Sequence, residues 1–213
     1  MHFGFARKIF RSLRRRGAGQ SMMEAIIACG IITTAVASSL TLVQASISAE
    51  KESELSIVAT NLAREGVEIV RAKRDSNWLS GAAWDLGLEG PSYDHTAIPV
   101  FSSENNAWTL DFSPNSITDA SGRVYRYVTG SGNAVVGLMV QAVEQPTDVI
   151  GSPFSRLVTI DSICDNSGLI ETVESGTGCA GSKIGLRVRS AVMYKNGGRT
   201  RNIEVEESLY NWR

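Results

Sequence analysis

The chain has 213 residues with 21 basic and 22 acidic side chains, and its formal charge of −1 hides a strong asymmetry. Residues 1–19 hold Arg7, Lys8, Arg11, Arg14, Arg15 and Arg16 and no acid, which leaves 15 basic against 22 acidic side chains in the remainder. An acidic body without a clustered basic face argues against direct nucleic-acid binding, and the length suits one long helix plus one globular domain.

The basic stub runs through Gly19 and Gln20 into Glu24 and then into Ala25–Ala45, a stretch without a formal charge. That stretch is long enough to span a bilayer, and the stub places the N-terminus on the cytoplasmic side by the positive-inside rule. A secretory signal peptide is the ordinary alternative, with a small-residue cut in Ala45-Ser46-Ile47-Ser48-Ala49. Against it, the apolar run exceeds the 7–15 residues of a typical signal core and passes directly into helical sequence. Glu24 stands just inside the edge of the span, where an unpaired charge costs about 2.5 kcal/mol or more. It either reaches the interface, where the helix dipole favours it by about 0.3–1 kcal/mol, or takes a partner.

Ser46 to Arg74 contains no proline and one glycine, Gly66. Leu55, Val58, Leu62, Gly66 and Ile69–Val70 recur at spacings of three and four, which predicts an amphipathic stripe flanked by Ala59 and Ala63, whose small side chains allow close approach. A helix from about Ser21 to Arg74 would be about 80 Å long. The predicted organisation is a stub over 1–19, a membrane or filament-core helix over 20–45, its amphipathic half over 46–76, a helix-to-sheet loop over 77–97 and a β-rich head over 98–213. Asn77-Trp78 is read as the helix end, with Trp84 an apolar anchor of the loop. Strands are expected at Ile98–Ser102, Ala107–Phe112, Arg123–Thr129, Val135–Val140, Phe154–Asp161, Lys183–Tyr194 and Arg199–Tyr210. Asn196-Gly197-Gly198 is a hairpin turn, and Asn202–Glu206 alternates so that one face packs and the other meets water. Helix followed by antiparallel strands makes an α+β fold, a long apolar N-terminal helix packed on a sheet.

The three cysteines divide by location. Cys29 in the apolar run reads as a small buried hydrophobe. Cys164 and Cys179 bracket a polar loop and, in an exported domain, favour a disulfide, which stabilises by about 3 kcal/mol in the chain-entropy treatment. A metal pair is the competing reading, but there is no CxxC, and His2 and His95 are remote in sequence. Asp111, Asn115 and Asp119 could be oxygen ligands for calcium, though their spacing does not follow the EF-hand loop. Only two histidines exist, His2 within the basic stub, and no phosphate-binding loop appears, so no enzymatic activity, cofactor or metal is expected. Trp78, Trp84 and Trp108 read as cover for the helix–sheet core.

Gly19 followed by Gln20-Ser21-Met22-Met23-Glu24-Ala25, behind a basic leader and ahead of the apolar run, resembles the class III signal of type IV prepilins and type II secretion pseudopilins. Asn61–Arg71 and Arg74–Leu79 also resemble pilin-like proteins of small bacteria. The resemblance implies that a prepilin peptidase cuts between Gly19 and Gln20, removes residues 1–19 and methylates Gln20. Glu24 then becomes the fifth residue, able to pair with the Gln20 amine of a neighbouring subunit. It implies insertion in the bacterial cytoplasmic membrane among lipid, then transfer by pilus or type II secretion machinery into a filament of identical or related subunits. The disulfide loop would correspond to the variable region of pilins. Two features depart from the pattern: the mature chain would begin with glutamine, whose amine must be kept from cyclising, and Thr41 stands where major pilins often carry proline. Any unwinding in a filament would rely on Thr33, Thr34, Val36, Ser38, Ser39 and Thr41, weak helix formers. A pseudopilin and an unprocessed membrane-anchored binding domain remain the alternatives.

Overall fold

The computed structural model describes residues 18–91, 95–102, 107–129, 134–143, 149–166, 171–175 and 178–211. Residues 1–17 of the basic leader, and the side chains of Gly19 and Gln20, lie outside that description. Among the described residues one α-helix, α1 (Ala18–Ser80), precedes eight strands: β1 (Thr96–Ser102), β2 (Ala107–Asp111), β3 (Arg123–Thr129), β4 (Ala134–Val140), β5 (Val149–Asp165), β6 (Glu171–Glu174), β7 (Ser182–Asn196) and β8 (Arg199–Tyr210). All strand pairs are antiparallel, so the fold is α+β with a long apolar N-terminal helix. The chain divides into two units, one ending at Lys51 and one beginning at Glu52.

In the first unit, every described side chain from Ser21 to Lys51 is exposed. This part of α1 is long and apolar enough to cross a membrane. Its hydroxyls turn back onto the helix. Thr33 and Thr34 donate to the Gly30 carbonyl at 2.9 and 3.1 Å, Ser38 to Thr34 at 2.8 Å, Ser39 to Ala35 at 2.9 Å and Thr41 to Ser38 at 2.8 Å. Each donor is thereby satisfied without water, as hydrocarbon requires, and the helix continues unbroken through the segment of weak helix formers. Cys29, expected to behave as a buried hydrophobe, is exposed in this chain.

In the second unit the helix ends at Ser80, later than Asn77-Trp78. Gly81 takes φ +73°, its N–H donates to Trp78 C=O at 3.2 Å, and Ala82 N–H donates to Asn77 C=O at 3.0 Å. This is a Schellman cap, and it uses the first glycine after the helix. Asn77 is instead an anchor inside the last turn. Its buried side-chain amide donates to Trp84 C=O at 3.1 Å and Leu86 C=O at 2.9 Å. Those bonds hold the loop so that Leu88 is fully buried and Trp84 packs on the core.

β5 is the centre of the sheet. It pairs with β7 from Phe154 to Asp165, and β8 lies beyond β7. Its other edge is shared by β3, β1 and β6 in succession, with β4 outside β3 and β2 outside β1. β6 is a strand that sequence reasoning missed: Glu171-Thr172-Val173-Glu174 offers one apolar residue and sits inside the cysteine-bounded segment read as a loop. The hairpin turn falls as expected, with Asn196 opposite Arg199 and Gly197 and Gly198 at φ +54° and +82°. Ile203 and Val205 are half-buried against the core while Glu204 and Glu206 are exposed, the alternation expected for β8.

The helix packs on this sheet through its smallest residues. Ala59 and Ala63 have no exposed surface, and with Leu62 they meet Val124, Phe154, Val192 and Tyr194. Val67 and Val70 meet Val158, Ile160, Leu186, Val188 and Leu209. The contact stripe keeps Leu62, Gly66, Ile69 and Val70 of the expected one, with Ala59 and Ala63 at the close approach their size allows and Leu55 and Val58 only at its margin. Large apolar residues dominate a moment drawn from sequence, whereas close helix–sheet approach selects small ones.

Gly66→Ala tests this contact. Alanine favours helix by about 1 kcal/mol over glycine, but its Cβ would overlap Ser190 Oγ and lie 3.1 Å from Ser190 Cβ and 3.2 Å from Val158 Cγ2. Overpacking of that kind costs about 1–3 kcal/mol, so the variant should melt below the parent protein. Ser190→Ala removes the overlapping atom, a buried hydroxyl without a hydrogen-bond partner among the described residues, and should restore the melting temperature in the double variant. Thermal unfolding of the four proteins decides; a Gly66→Ala variant as stable as the parent would show the packing to be looser than described.

Candidate functional site

The residues singled out by the sequence fall in two separate places. Gly19, Gln20 and Glu24 belong to the start of α1. Glu24 is fully helical and exposed, and has no hydrogen-bond or ion-pair partner among the described residues. Residues 20 and 24 are one turn apart, about 6 Å along the axis, so a terminal amine at 20 and the carboxylate at 24 share one face. Cys164 and Cys179 form a disulfide with Cα atoms 5.4 Å apart, in the second unit. It closes the segment that contains β6, whose Thr172 pairs with Cys164.

Asp111 and Asp119 are engaged with the backbone. Asp119 Oδ2 accepts from Asn115 N–H at 3.0 Å and Ser116 N–H at 2.9 Å, and Asp111 Oδ1 accepts from Ser113 N–H at 2.9 Å. The carboxylates thus shape turns between β2 and β3. Among the described residues, no group of three or more His, Cys, Asp or Glu side chains is placed to hold a metal ion. The tryptophans serve different contacts: Trp78 lies under Arg74 at 4.6 Å, Trp84 beside Lys183 at 5.4 Å, and Trp108 against Phe101 at 5.2 Å.

The strongest polar constellations of the head were not anticipated. Arg156 is fully buried between sheet and helix; its Nε donates to Gln141 Oε1 at 2.6 Å, and its Nη1 donates to Leu62 C=O at 3.1 Å and Glu65 Oε2 at 2.8 Å. Burial pushes its pKa down and the Glu65 carboxylate opposes that shift. The signal was present in the sequence: Phe154, Arg156, Val158 and Ile160 alternate, so the charge occupies a core-facing position. Lys183 joins Asp85 at 3.0 Å and also Glu89, tying the loop after α1 to β7. On α1, Arg71 bridges Glu68 and Glu207, and the hydrogen bond to Glu207 is foremost in raising its pKa.

Glu52, the first residue of the second unit, receives three donors from the β7–β8 hairpin: Asn196 Nδ2 at 2.6 Å, Tyr194 Oη at 3.2 Å and Arg201 Nε at 3.2 Å. The Asn196 amide is foremost in holding the carboxyl below its ordinary value of 4.5, with Tyr194 and Arg201 acting the same way against partial desolvation. Tyr194 is pushed up in turn, first by burial and then by Glu52. A depressed folded-state pKa means that this contribution is present above pH 4.5 and is lost as pH falls through the lower folded value. Glu52→Gln should therefore lower the melting temperature at neutral pH and flatten its acid dependence relative to the parent protein. Parallel acid dependences in the two proteins would remove Glu52 from this role.

Comparison with protein-family models, with curated proteins and with solved structures returns no match.

Proposed function

We propose that this chain is a structural subunit of a type IV pilus-like filament, made as a prepilin, cleaved after Gly19 and assembled through its N-terminal helix. One observation carries the reading: Gly19-Gln20 and Glu24 stand at the start of a continuous apolar helix whose side chains from Ser21 to Lys51 are uncovered in the single chain. A bilayer covers such a helix before assembly, and neighbouring helices cover it afterwards. The α+β head with a disulfide is compatible with the same reading.

In this scheme a prepilin peptidase is the processing partner, pilus assembly machinery moves the subunit out of the cytoplasmic membrane, and related subunits are its neighbours. N-terminal sequencing and intact-mass measurement of chain recovered from membranes and from sheared fibres test it. The mature chain should start at Gln20 and carry one added methyl group, which also keeps the amine from cyclising. Assembled material that starts at Met1 would instead establish an unprocessed anchored domain. A pyroglutamate end in fibres would eliminate the amine as the partner of Glu24.

A further inference from the structure

A cleft of 320 Å³ opens at one end of the sheet where β3, β5 and β7 run side by side. It originates in an irregularity of β5. Arg123 pairs with Ser155 and Tyr125 with Gly151, so β5 carries extra residues against β3. The surplus around Ser152-Pro153-Phe154 is a bulge, and Pro153 suits it because a proline has no N–H to give to a ladder. The Ser152 hydroxyl bridges the gap, donating to Val124 C=O and accepting from Phe154 N–H.

The alternation of the strands decides what the cleft presents. Val124, Phe154 and Tyr194 face the helix within the core. Arg123, Ser155 and Met193 form a cross-strand row on the opposite face, and Lys195 follows two residues along β7. With strands about 4.8 Å apart and about 3.4 Å per residue, the Arg123 and Lys195 Cα atoms stand roughly 12 Å apart. Two long flexible cations can converge over one small molecule across that span. Both are exposed, and among the described residues neither has an ion-pair partner, in contrast to Arg71, Arg156, Lys183 and Arg189. Among the described residues no carboxylate lines the cleft, and the neighbouring Asp119 is engaged by backbone N–H groups.

We propose that this cleft binds an anionic saccharide of the hexuronate class, its carboxylate held between Arg123 and Lys195 and its hydroxyls directed to Ser155 and Thr118. The guanidinium fork matches a carboxylate. The volume lies in the range of about 300–1,000 Å³ that holds small organic ligands, more space than a bare inorganic anion fills. The hydroxyls of Thr118 and Ser155 on its wall suit the polar groups of a polyol, and the apolar surface beside them, which includes Pro153 and Met193, suits the C–H face of a sugar ring. No residue of α1 lines this cleft.

The test uses the full chain in detergent micelles and saturation-transfer NMR with sodium glucuronate, with glucose in parallel and inorganic phosphate as a competitor at matched ionic strength. Glucuronate should receive saturation and glucose should not. R123A/K195A should weaken glucuronate binding at least tenfold, whereas R126A/R199A, which removes the same charge from other exposed positions, should retain it. The proposal is overturned by absent transfer to glucuronate, by equal transfer to glucose, or by equal loss in the two double variants. Phosphate that displaces glucuronate as well as free glucuronate does would also overturn it, because the site would then read a bare anion.

Discussion

Glu65→Ala is expected to destabilise the head by about 3–5 kcal/mol, the cost of leaving one member of a buried ion pair without its partner. Glu65 itself is partly exposed, but the guanidinium it serves is not: Arg156 has no solvent-accessible side-chain surface. Once Glu65 is gone, Leu62 C=O and Gln141 Oε1 still accept from Arg156, yet both are neutral, and Nη2 already lacks a partner among the described residues. Arg156→Met should be much milder, because it removes the charge together with its desolvation cost and keeps a long apolar side chain in a core-facing position. Gln141 loses one donor but still donates its own amide to Gly122 C=O and Arg156 C=O at 2.9 Å, and Leu62 C=O remains within the helix ladder. Urea unfolding of the two single variants should therefore rank Arg156→Met well above Glu65→Ala. Equal losses would mean that Arg156 acts through packing volume, and charge compensation would be the wrong account.

The same residues show what a sequence reveals and what it conceals. Period-two alternation located seven strands, because Leu157–Ile160 and Leu186–Arg189 carry strong β-branched or alternating patterns, and Asn196-Gly197-Gly198 announced its turn through backbone freedom. The Cys164–Cys179 pair was legible for a chemical reason, two thiols bracketing a polar segment. β6 was not, since its pairing is imposed by the return of the chain toward Cys179 and only Val173 supports it. The contact face of α1 was legible from Leu62 to Val70, with Ala63 and Gly66 small enough to let the helix lie close to the sheet, whereas Leu55 and Val58 are only half-buried although their size and spacing match the stripe. The helix end was misplaced because Asn77 resembles a stop signal, whereas its amide reaches forward to Trp84 and Leu86 and Gly81 makes the cap. Glu52 and Arg156 take their meaning from hydrogen-bond partners more than ninety residues away in sequence, Tyr194 and Arg201 as donors to Glu52 and a helical carbonyl as acceptor from Arg156, and no local pattern contains that information.

Glu24→Ala is expected to leave membrane insertion intact and to abolish incorporation into fibres. The two states load this side chain differently. In the membrane, removing a carboxylate from the edge of the span relieves part of a penalty of about 2.5–3.5 kcal/mol and forfeits a dipole interaction of about 0.3–1 kcal/mol, so insertion is unchanged or slightly favoured. In a packed array of apolar helices, the carboxylate and a neighbour's Gln20 amine would lie in a dry medium, and deleting one leaves the other uncompensated at about 3–5 kcal/mol. That is roughly two to four orders of magnitude in the subunit's tendency to add, repeated at each addition. The four-residue spacing sharpens the test. Amine and carboxylate share a helical face, so within one subunit they can meet as an i, i+4 pair worth only about 0.2–0.5 kcal/mol in water, too little to account for a block in assembly. Glu24→Gln keeps the size and polarity of the side chain and loses only its charge, so it should fail as completely as alanine if compensation is the reason. The measurements are the carbonate-resistant membrane fraction and the sheared-fibre yield of each variant. Wild-type fibre yield from Glu24→Gln would sink the pairing role, and loss of both variants from the membrane fraction would place Glu24 in insertion.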